Sequence, residues 1–139
     1  MKKYNIYLDD VRVPKEPGWI LVKDYDQFVN KVMELGLENI DTISLDHDLG
    51  DTAMREYFHN VAPNFTLDYN NIKEKTGLDC AKWLVELHMN QGGRFPTVYT
   101  HSANPIGSAN IMGYVNNYWM NLRQPQTCVR IQIPHTIEK

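Results

Sequence analysis

Five polar side chains that could act on a phosphate group stand at the ends of apolar segments in this sequence. They are Asp9, Asp10, Asp46, Asp48 and His101. Carboxylates held close together repel one another, so protons or a cation must neutralise them. Because hard oxygen ligands suit Mg²⁺ or Mn²⁺, we expect the four aspartates to bind a divalent cation. The structural alternative is that some of them only cap turns, as Asp often does.

The segment 43–50 shows the sharpest change of character, from a β-branched apolar run to Asp46, His47 and Asp48 followed by a glycine. Asp and His are costly to bury unpaired, so we expect them where a buried strand opens into a crevice. Strand alternation would turn His47 away from its two acidic neighbours. A catalytic role for His47 and a purely structural one are therefore equal alternatives.

A second polar segment has the chemistry of an anion site. His101 is followed by Ser102, Asn104 and Gly107, which offer a hydroxyl, an amide and a backbone N–H. The helix expected after them would direct the positive end of its dipole at a bound phosphate. An Asn-Pro turn with a helix cap is the structural alternative. Arg12 is expected beside the first acidic pair, where its guanidinium would also suit phosphate.

The strands predicted to position these residues are the apolar segments 4–8, 19–22, 40–45, 95–100 and 128–133. Apolar spacing of three and four residues predicts helices that end at Gly36 and near Gly92, and one that begins after Gly107. Prolines and a glycine between 11 and 18 exclude a long helix there. The first connection is therefore predicted to be a loop or a reduced turn.

The alternation of strands with helical or long connections predicts parallel strands. Right-handed crossovers then favour an α/β fold, a three-layer, doubly wound sheet of five mostly parallel strands, with the first, third and fourth side by side. That order brings all five polar residues to one carboxyl-terminal edge. The segment 51–75 is interpreted as an insertion after the third strand. It either folds over the site or is an ordered surface segment with no catalytic role.

The composition limits both the size and the partners of the protein. A chain of 139 residues with 42% hydrophobic content fits one domain spanning 1–139. Its formal net charge of −3 excludes a broadly basic surface for duplex DNA, but not a partner with one or two phosphates. Cys80 and Cys128 are expected to be buried free thiols. Since no apolar run reaches membrane-spanning length, we expect a soluble, cytoplasmic protein with no membrane partner.

Four separated motifs resemble those of a known family. They are Leu-Asp-Asp-x-Arg at 8–12, Leu-Asp-His-Asp-Leu-Gly at 45–50, Gly-x-Asp-x-x-x-Trp-Leu at 77–84 and His-Ser-Ala-Asn-Pro-x-Gly at 101–107. The strand order and the first two motifs resemble the flavodoxin-like receiver domains of response regulators. The full set resembles the cyclic-phosphate-processing receiver-like family (cREC) across nearly the whole chain. His101 stands where a receiver has its switch Ser or Thr. Ile133, directly before Pro134, stands where a receiver has its lysine, and no lysine lies near that strand end, which argues against phosphotransfer signalling.

The resemblance implies metal-dependent handling of cyclic phosphates on nucleotides or RNA ends, as in RNA repair. On this interpretation His101 protonates the leaving ribose oxygen, His47 is its basic counterpart and Asp46 acts both in catalysis and as a metal ligand. Arg12 and the polar groups of the segment 101–107 bind phosphate oxygens. The alternative is a non-catalytic, degenerate receiver that binds a nucleotide, a metal or a protein. A different phosphoester hydrolase is a third possibility.

Overall fold

A parallel five-stranded sheet forms the centre of the structure, a computed structural model that describes residues 3–122 and 128–137. Among these residues the strands are β1 (Tyr4–Leu8), β2 (Arg12–Pro14), β3 (Trp19–Val22), β4 (Ile40–Leu45), β5 (Thr97–Thr100), β6 (Val129–Arg130) and β7 (His135–Ile137). Five of them pair in parallel in the order β3-β1-β4-β5-β6, which confirms the predicted receiver-like α/β fold. As predicted, β1, β4 and β5 lie side by side.

The helices are α1 (Tyr25–Leu35), α2 (Asp51–Glu56), α3 (Ala62–Asn64), α4 (Gly77–Gln91) and α5 (Pro105–Leu122), with a 3-10 turn at Leu37–Asn39. Side-chain caps predicted by the sequence begin two of the long helices, α1 and α4. The carboxylate of Asp24 accepts a hydrogen bond from the backbone N–H of Gln27 at 2.8 Å and so caps α1. A capping box between Thr76 and Asp79 opens α4. Both caps satisfy N–H groups that a first helical turn leaves unpaired.

Alternate side chains of the central strands form the core. Ile6, Ile43 and Val98 lie in register on β1, β4 and β5, and all three are buried. They belong to one apolar cluster with helix residues such as Leu84 and Ile111. Burial of an aliphatic side chain contributes about 1.5–3 kcal/mol, and a register slip of one residue would expose the whole set. The core therefore fixes the register of the three strands that carry the site.

The long helices form a layer on one face of the sheet. α1 packs beside α4, and α4 packs beside α5. Right-handed crossovers place these three connections on the same side. The connection from β1 to β3 runs in the opposite direction along the sheet and contains the short strand β2 instead of a helix, as its prolines predict. The three predicted layers are therefore unequal: helices cover one face, whereas a strand and turns make the first connection on the other.

Two of the predicted strands are shorter in the structure. β5 begins at Thr97 rather than at residue 95, because Pro96 has no N–H to donate to a neighbouring strand. β6 contains only Val129 and Arg130, and the chain then leaves the sheet. Residues 135–137 form β7, which pairs antiparallel with β2. This second, two-stranded sheet was not predicted from the sequence.

Helix α5 starts at Pro105, whereas the sequence placed its start after Gly107. Proline at the first helical position costs no hydrogen bond, because that N–H would be unpaired in any case. The side chain of Asn104 accepts a hydrogen bond from the N–H of Gly107 at 2.9 Å, in the manner of an N-cap. Gly107 therefore lies in the first turn of the helix and not in the loop before it.

The insertion, residues 51–75, is largely helical, although no sustained apolar period predicted a helix there. Its elements are α2, the π-helical turn Tyr57–Val61, α3 and the 3-10 turn Tyr69–Asn71. The carboxylate of buried Glu56 accepts hydrogen bonds from the backbone N–H of Asp68 at 2.9 Å and from the amide of Asn71 at 2.8 Å. Internal polar contacts therefore close the insertion on itself, which is why an apolar pattern could not reveal its structure.

Cys80 and Cys128 are buried free thiols, as predicted. Burial raises the pKa of both thiol groups far above its usual value, so they stay protonated and unreactive at neutral pH. In the described part of the chain, no helix combines the length and the apolar character needed to cross a membrane.

Candidate active site

The carboxyl-terminal edge of the sheet brings Asp9, Asp46 and His101 to the same level. Each follows directly after one of three adjacent strands that are paired in register. Backbone hydrogen bonds extend the ladder by one residue: the N–H of Asp46 donates to the carbonyl of Leu8 at 2.9 Å, and that of His101 to Leu45 at 3.0 Å. The register imposed by the core therefore fixes the backbone of the site.

Three carboxylates meet at this edge. One oxygen atom from each of Asp9, Asp10 and Asp46 lies within 4.8 Å of the other two. The guanidinium of Arg12 bridges two of them, with Nε 2.7 Å from Asp9 Oδ2 and a terminal nitrogen 3.0 Å from Asp46 Oδ1. Arg12 thus lies beside the acidic pair, as expected, and neutralises part of the charge of the cluster.

Burial and mutual repulsion oppose full ionisation of this cluster. Burial, followed by repulsion from Asp9, raises the pKa of Asp46 from its usual 3.8 to about 8. The same two causes also raise the pKa of Asp10. Burial alone would raise the pKa of Asp9, but hydrogen bonds from His101 and from backbone N–H groups, that of Arg12 first among them, hold it below its usual value. Asp9 is therefore ionised at neutral pH, whereas Asp46 retains much of its proton.

The donor set suits a hard divalent cation. Mg²⁺ binds oxygen atoms at about 2.1 Å with octahedral geometry, so ligand atoms on one ion lie about 3–4 Å apart. The three aspartate oxygens, within 4.8 Å of one another, need only a small approach to reach that spacing. A positive ion among them would also offset the burial and the repulsion that keep Asp46 protonated. The residues present therefore fit Mg²⁺ or Mn²⁺.

His101 is held on both sides of its ring. Its Nε2 lies 3.0 Å from Asp9 Oδ2, and its Nδ1 lies 2.7 Å from Ser44 Oγ. A carboxylate only accepts hydrogen bonds, so Nε2 carries the proton and Nδ1 of the neutral ring accepts from the Ser44 hydroxyl. The ring stacks on Tyr7, with centroids 4.2 Å apart. Burial lowers the pKa of His101 despite the contact with Asp9, which favours the neutral imidazole.

His47 has the same kinds of partners and lies deeper. Its Nδ1 lies 2.7 Å from Asp48 Oδ1, and its Nε2 lies 2.9 Å from the hydroxyl of Tyr69, a residue of the insertion. Asp48 also accepts a hydrogen bond from the amide of Asn104 at 3.3 Å, and its carboxylate is not one of the three that cluster. His47 is fully buried, whereas His101 borders an open cleft. The insertion therefore covers this side of the site.

The polar groups that follow His101 contact one another. The backbone N–H of Asn104 donates to Ser102 Oγ at 3.1 Å, and Asn104 in turn caps α5 through Gly107. Asn104 is fully buried, whereas Ser102 lines the cleft. Of these three predicted phosphate ligands, Ser102 borders the cleft, although the residue is only 2% exposed. Contact of Asn104 and Gly107 with phosphate stays a prediction.

Two glycines allow helices to approach the site closely. A side chain at Gly77 would place its Cβ 1.8 Å from the carbonyl oxygen of Asp46. A side chain at Gly107 would place its Cβ 2.3 Å from the imidazole ring of His47. The first turns of α4 and α5 therefore press directly against the segment after β4, which explains why both motifs carry a glycine at these positions.

A cleft of about 640 Å³ opens beside Arg12 and His101. Its volume lies within the range of about 300–1,000 Å³ that is usual for small-molecule sites. Residues 131–135, which follow β6, also line it. The acidic cluster therefore lies next to a space large enough for a nucleotide.

Sequence reasoning missed four residues of this site. They are Tyr7, Ser44, Tyr69 and Arg130. Ser44 is a polar residue inside an otherwise apolar strand, and Arg130 is the one charged residue in the last predicted strand, so both positions carried a usable signal. Nothing in the sequence distinguishes Tyr69 from the other aromatic residues of the insertion.

The fold and the edge residues together define a receiver-like α/β domain, with an acidic cluster where parallel strands end. The chain matches the profile of the cyclic-phosphate processing receiver domain over residues 4–117, and it belongs to that family. No curated protein and no solved structure matches it. The family associates this receiver domain with cyclic-phosphate processing, and the match ends before β6 and β7, which border the cleft.

Proposed function

We propose that this protein hydrolyses cyclic phosphate esters of nucleotides or RNA ends with the help of Mg²⁺ or Mn²⁺. The observation that carries the proposal is the cluster of Asp9, Asp10 and Asp46 beside His101 and an open cleft. Membership of the cyclic-phosphate processing family supports the substrate class. A buried carboxyl group with a pKa near neutrality is also more common at functional sites than elsewhere.

The three clustered aspartates would hold the cation in this proposal. When bound, the cation polarises the phosphate and stabilises the negative charge that develops on its oxygen atoms. Arg12 binds a phosphate oxygen from the cleft side while it keeps its contacts with Asp9 and Asp46. Ser102 donates its hydroxyl to the same group. Asn104 and Gly107 hold the loop through their mutual hydrogen bond, and direct contact of either with phosphate stays a prediction.

His101 is the proposed proton source. It holds a proton at Nε2, shared with Asp9 Oδ2. Opening a cyclic phosphate releases a ribose oxygen that must gain a proton. To act as an acid, His101 first takes up a second proton at Nδ1, and its contact with Asp9 stabilises the resulting imidazolium. The imidazolium donates its Nε2 proton when the leaving oxygen takes the place of Asp9, and the neutral ring that remains keeps its contact with Ser44 through Nδ1.

His47 is the proposed basic counterpart. The attacking water must lose a proton as its oxygen bonds to phosphorus. The Nε2 atom of His47 accepts the Tyr69 hydroxyl, so a proton released by water reaches His47 through Tyr69. Asp48 supports the resulting imidazolium from the other side of the ring. The two histidines then regenerate their starting states by returning the proton to solvent and taking one up.

Hydrolysis of adenosine 2′,3′-cyclic phosphate with Mg²⁺ or Mn²⁺ tests the proposal. We expect turnover by the native chain that disappears with EDTA and falls about a hundredfold or more in His101→Ala and in Asp46→Asn. Asp41→Asn is the matched control, because Asp41 lies on the same strand and pairs with Arg94 outside the site. Turnover that persists in EDTA or in Asp46→Asn would contradict the proposal.

A non-catalytic receiver that binds a nucleotide is the alternative, and one observation favours it. Both ring nitrogens of His101 and of His47 already have protein partners, as expected of histidines that only position other groups. Metal-dependent nucleotide binding without turnover, unchanged in His101→Ala, would support this alternative.

A further inference from the structure

We infer that the cleft beside the acidic cluster binds a second phosphate of the substrate. The ligand chemistry is a phosphate monoester or diester one ribose away from the cyclic phosphate. Two sources supply it, the 5′-phosphate of a free nucleotide and the phosphodiester that precedes an RNA end. The inference rests on the proposed function. It adds a binding site for a part of the substrate that the acidic cluster does not contact.

Basic side chains line this cleft, and two of them have no acidic partner among the described residues. Arg12, Lys15, Arg130 and His135 line it, and none of its described lining residues is acidic. The guanidinium of Arg12 contacts Asp9 and Asp46, so part of its charge is offset by the acidic cluster. Within residues 3–122 and 128–137, no carboxylate forms an ion pair with Lys15 or Arg130. A chain with a net charge of −3 thus concentrates unpaired cationic groups next to its candidate active site.

Two arginines flank one short loop at the mouth of the site. A terminal nitrogen of Arg12 lies 3.4 Å from the carbonyl oxygen of His101. Arg130 binds the next two carbonyls, with Nε 3.1 Å from that of Ser102 and a terminal nitrogen 3.3 Å from that of Ala103. Carbonyl contacts fix the direction of a guanidinium without cancelling its charge. Arg12 is therefore suited to the phosphate at the acidic cluster, and Arg130 to a neighbouring one.

The second sheet anchors the part of the cleft that residues 131–135 line. The backbone N–H of Lys15 donates to the carbonyl of Pro134 at 2.8 Å, and β2 pairs with β7 so that Pro14 lies opposite His135. These contacts hold Lys15 and His135 at the cleft. The family match ends at residue 117, so β6, β7 and the wall between them lie outside the matched region.

Three substrates test this inference with the full chain: adenosine 2′,3′-cyclic phosphate, the same compound with a 5′-phosphate, and a dinucleotide that ends in a 2′,3′-cyclic phosphate. We expect a second phosphate to raise kcat/KM about tenfold or more, as charge-assisted hydrogen bonds do. A preference for the 5′-phosphate identifies a free nucleotide, and a preference for the dinucleotide identifies an RNA end. Equal kcat/KM for all three would overturn the inference.

Arg130→Gln locates the effect. In this variant we expect kcat/KM of the doubly phosphorylated substrates to approach that of adenosine 2′,3′-cyclic phosphate, and Lys15→Gln to cause a smaller loss of the preference. Arg94→Gln is the control, because it removes the same charge from a surface ion pair with Asp41 that lies away from the cleft. A preference that survives Arg130→Gln and Lys15→Gln unchanged would also overturn the inference.

Binding of adenosine 5′-phosphate and of adenosine, measured by calorimetry in EDTA, separates this inference from the proposed function. If adenosine 5′-phosphate binds more weakly to Arg130→Gln and no cyclic phosphate is hydrolysed, the phosphate site in the cleft is supported and the proposed hydrolase function is contradicted. If cyclic phosphates are hydrolysed but a second phosphate has no effect, the proposed hydrolase function is supported and the second-phosphate site is contradicted. If the native chain and Arg130→Gln bind adenosine 5′-phosphate with equal affinity, the second-phosphate site is contradicted, whether or not cyclic phosphates are hydrolysed.

Discussion

His101 and His47 have equivalent partners in different surroundings. Each ring contacts a carboxylate through one nitrogen and a hydroxyl through the other, Asp9 and Ser44 for His101, Asp48 and Tyr69 for His47. Hydrogen bonding alone therefore cannot tell which of the two transfers a proton.

Surroundings distinguish the two rings. His101 contacts a member of the acidic cluster and borders the cleft. His47 is fully buried, with Gly107 packed against its ring and Tyr69 above it. A histidine that exchanges a carboxylate for a substrate oxygen must lie where substrate can arrive. The comparison therefore supports the acid role proposed for His101, whereas the role proposed for His47 depends on Tyr69.

Replacement of each histidine by alanine should give the largest contrast. We expect His101→Ala to lower kcat about a hundredfold or more, because general acid catalysis is lost. We expect His47→Ala to cost more stability than His101→Ala, because it leaves the buried carboxylate of Asp48 without its main partner. Initial rates, measured below the Tm of both variants, give kcat, and thermal unfolding gives the change in stability. A His101→Ala variant within a few fold of the native kcat would contradict the assignment.

The stability of the metal-free protein should depend on pH through Asp46. Its pKa is about 8 in the folded state and about 3.8 in the unfolded chain, so the folded state binds the proton more tightly. The stability from this proton is present below pH 4 and is lost as the pH rises toward 8. His101, whose pKa is lowered from 6.5, opposes this trend only below pH 6.5.

Thermal unfolding in EDTA between pH 6.5 and 8.5 therefore isolates the Asp46 contribution. We expect Tm to fall by several degrees over this range, and we expect Asp46→Asn to remove most of the slope, since an amide does not titrate. Added Mg²⁺ or Mn²⁺ should raise Tm most at the upper end of the range. Equal slopes for the native chain and Asp46→Asn would show that Asp46 titrates normally.

Gly107→Ala and Gly113→Ala test how tightly His47 is enclosed. Both glycines lie in α5, but a Cβ at Gly107 would lie 2.3 Å from the His47 ring, whereas one at Gly113 meets nothing within 4 Å. We expect Gly107→Ala to lower the free energy of unfolding by about 2 kcal/mol through overpacking. Gly113→Ala should raise it by about 0.5–1 kcal/mol through helix propensity. Chemical denaturation measures both, and equal effects would mean that His47 is loosely held.

Tyr69→Phe should lower the free energy of unfolding by only about 1 kcal/mol, because it removes just the hydroxyl that contacts His47 and Asn110. If water passes its proton to His47 through this hydroxyl, kcat should fall while KM changes little. Stability loss with unchanged kcat would restrict Tyr69 to a structural role.

Much of this fold follows from local patterns. Apolar strands, helix-breaking prolines and helical spacing predicted the parallel sheet and the adjacency of β1, β4 and β5. The short second sheet was beyond such reasoning, because β2 and β7 each have only three residues and pair across almost the whole chain. The helices of the insertion were also missed, since polar contacts around Glu56 rather than an apolar stripe hold them.

The candidate site was predictable to the extent that it depends on strand ends. Asp9, Asp46 and His101 meet because parallel strands end together, which a sequence can indicate. The direction of each side chain was harder to predict from the sequence. The carboxylate of Asp48 contacts His47 instead of joining the cluster, and Asn104 points inward to cap a helix. These choices depend on contacts between distant segments, which no local pattern encodes.

Titration of the metal-free protein with Mn²⁺, followed by calorimetry, tests the central claim most directly, because it asks whether the acidic cluster is a metal site. The native chain and Asp41→Asn should each bind Mn²⁺ at one site, since Asp41 lies away from the cluster. Asp46→Asn and Asp10→Asn should lose most of this binding. No binding by the native chain, or equal binding by Asp46→Asn, would contradict the account.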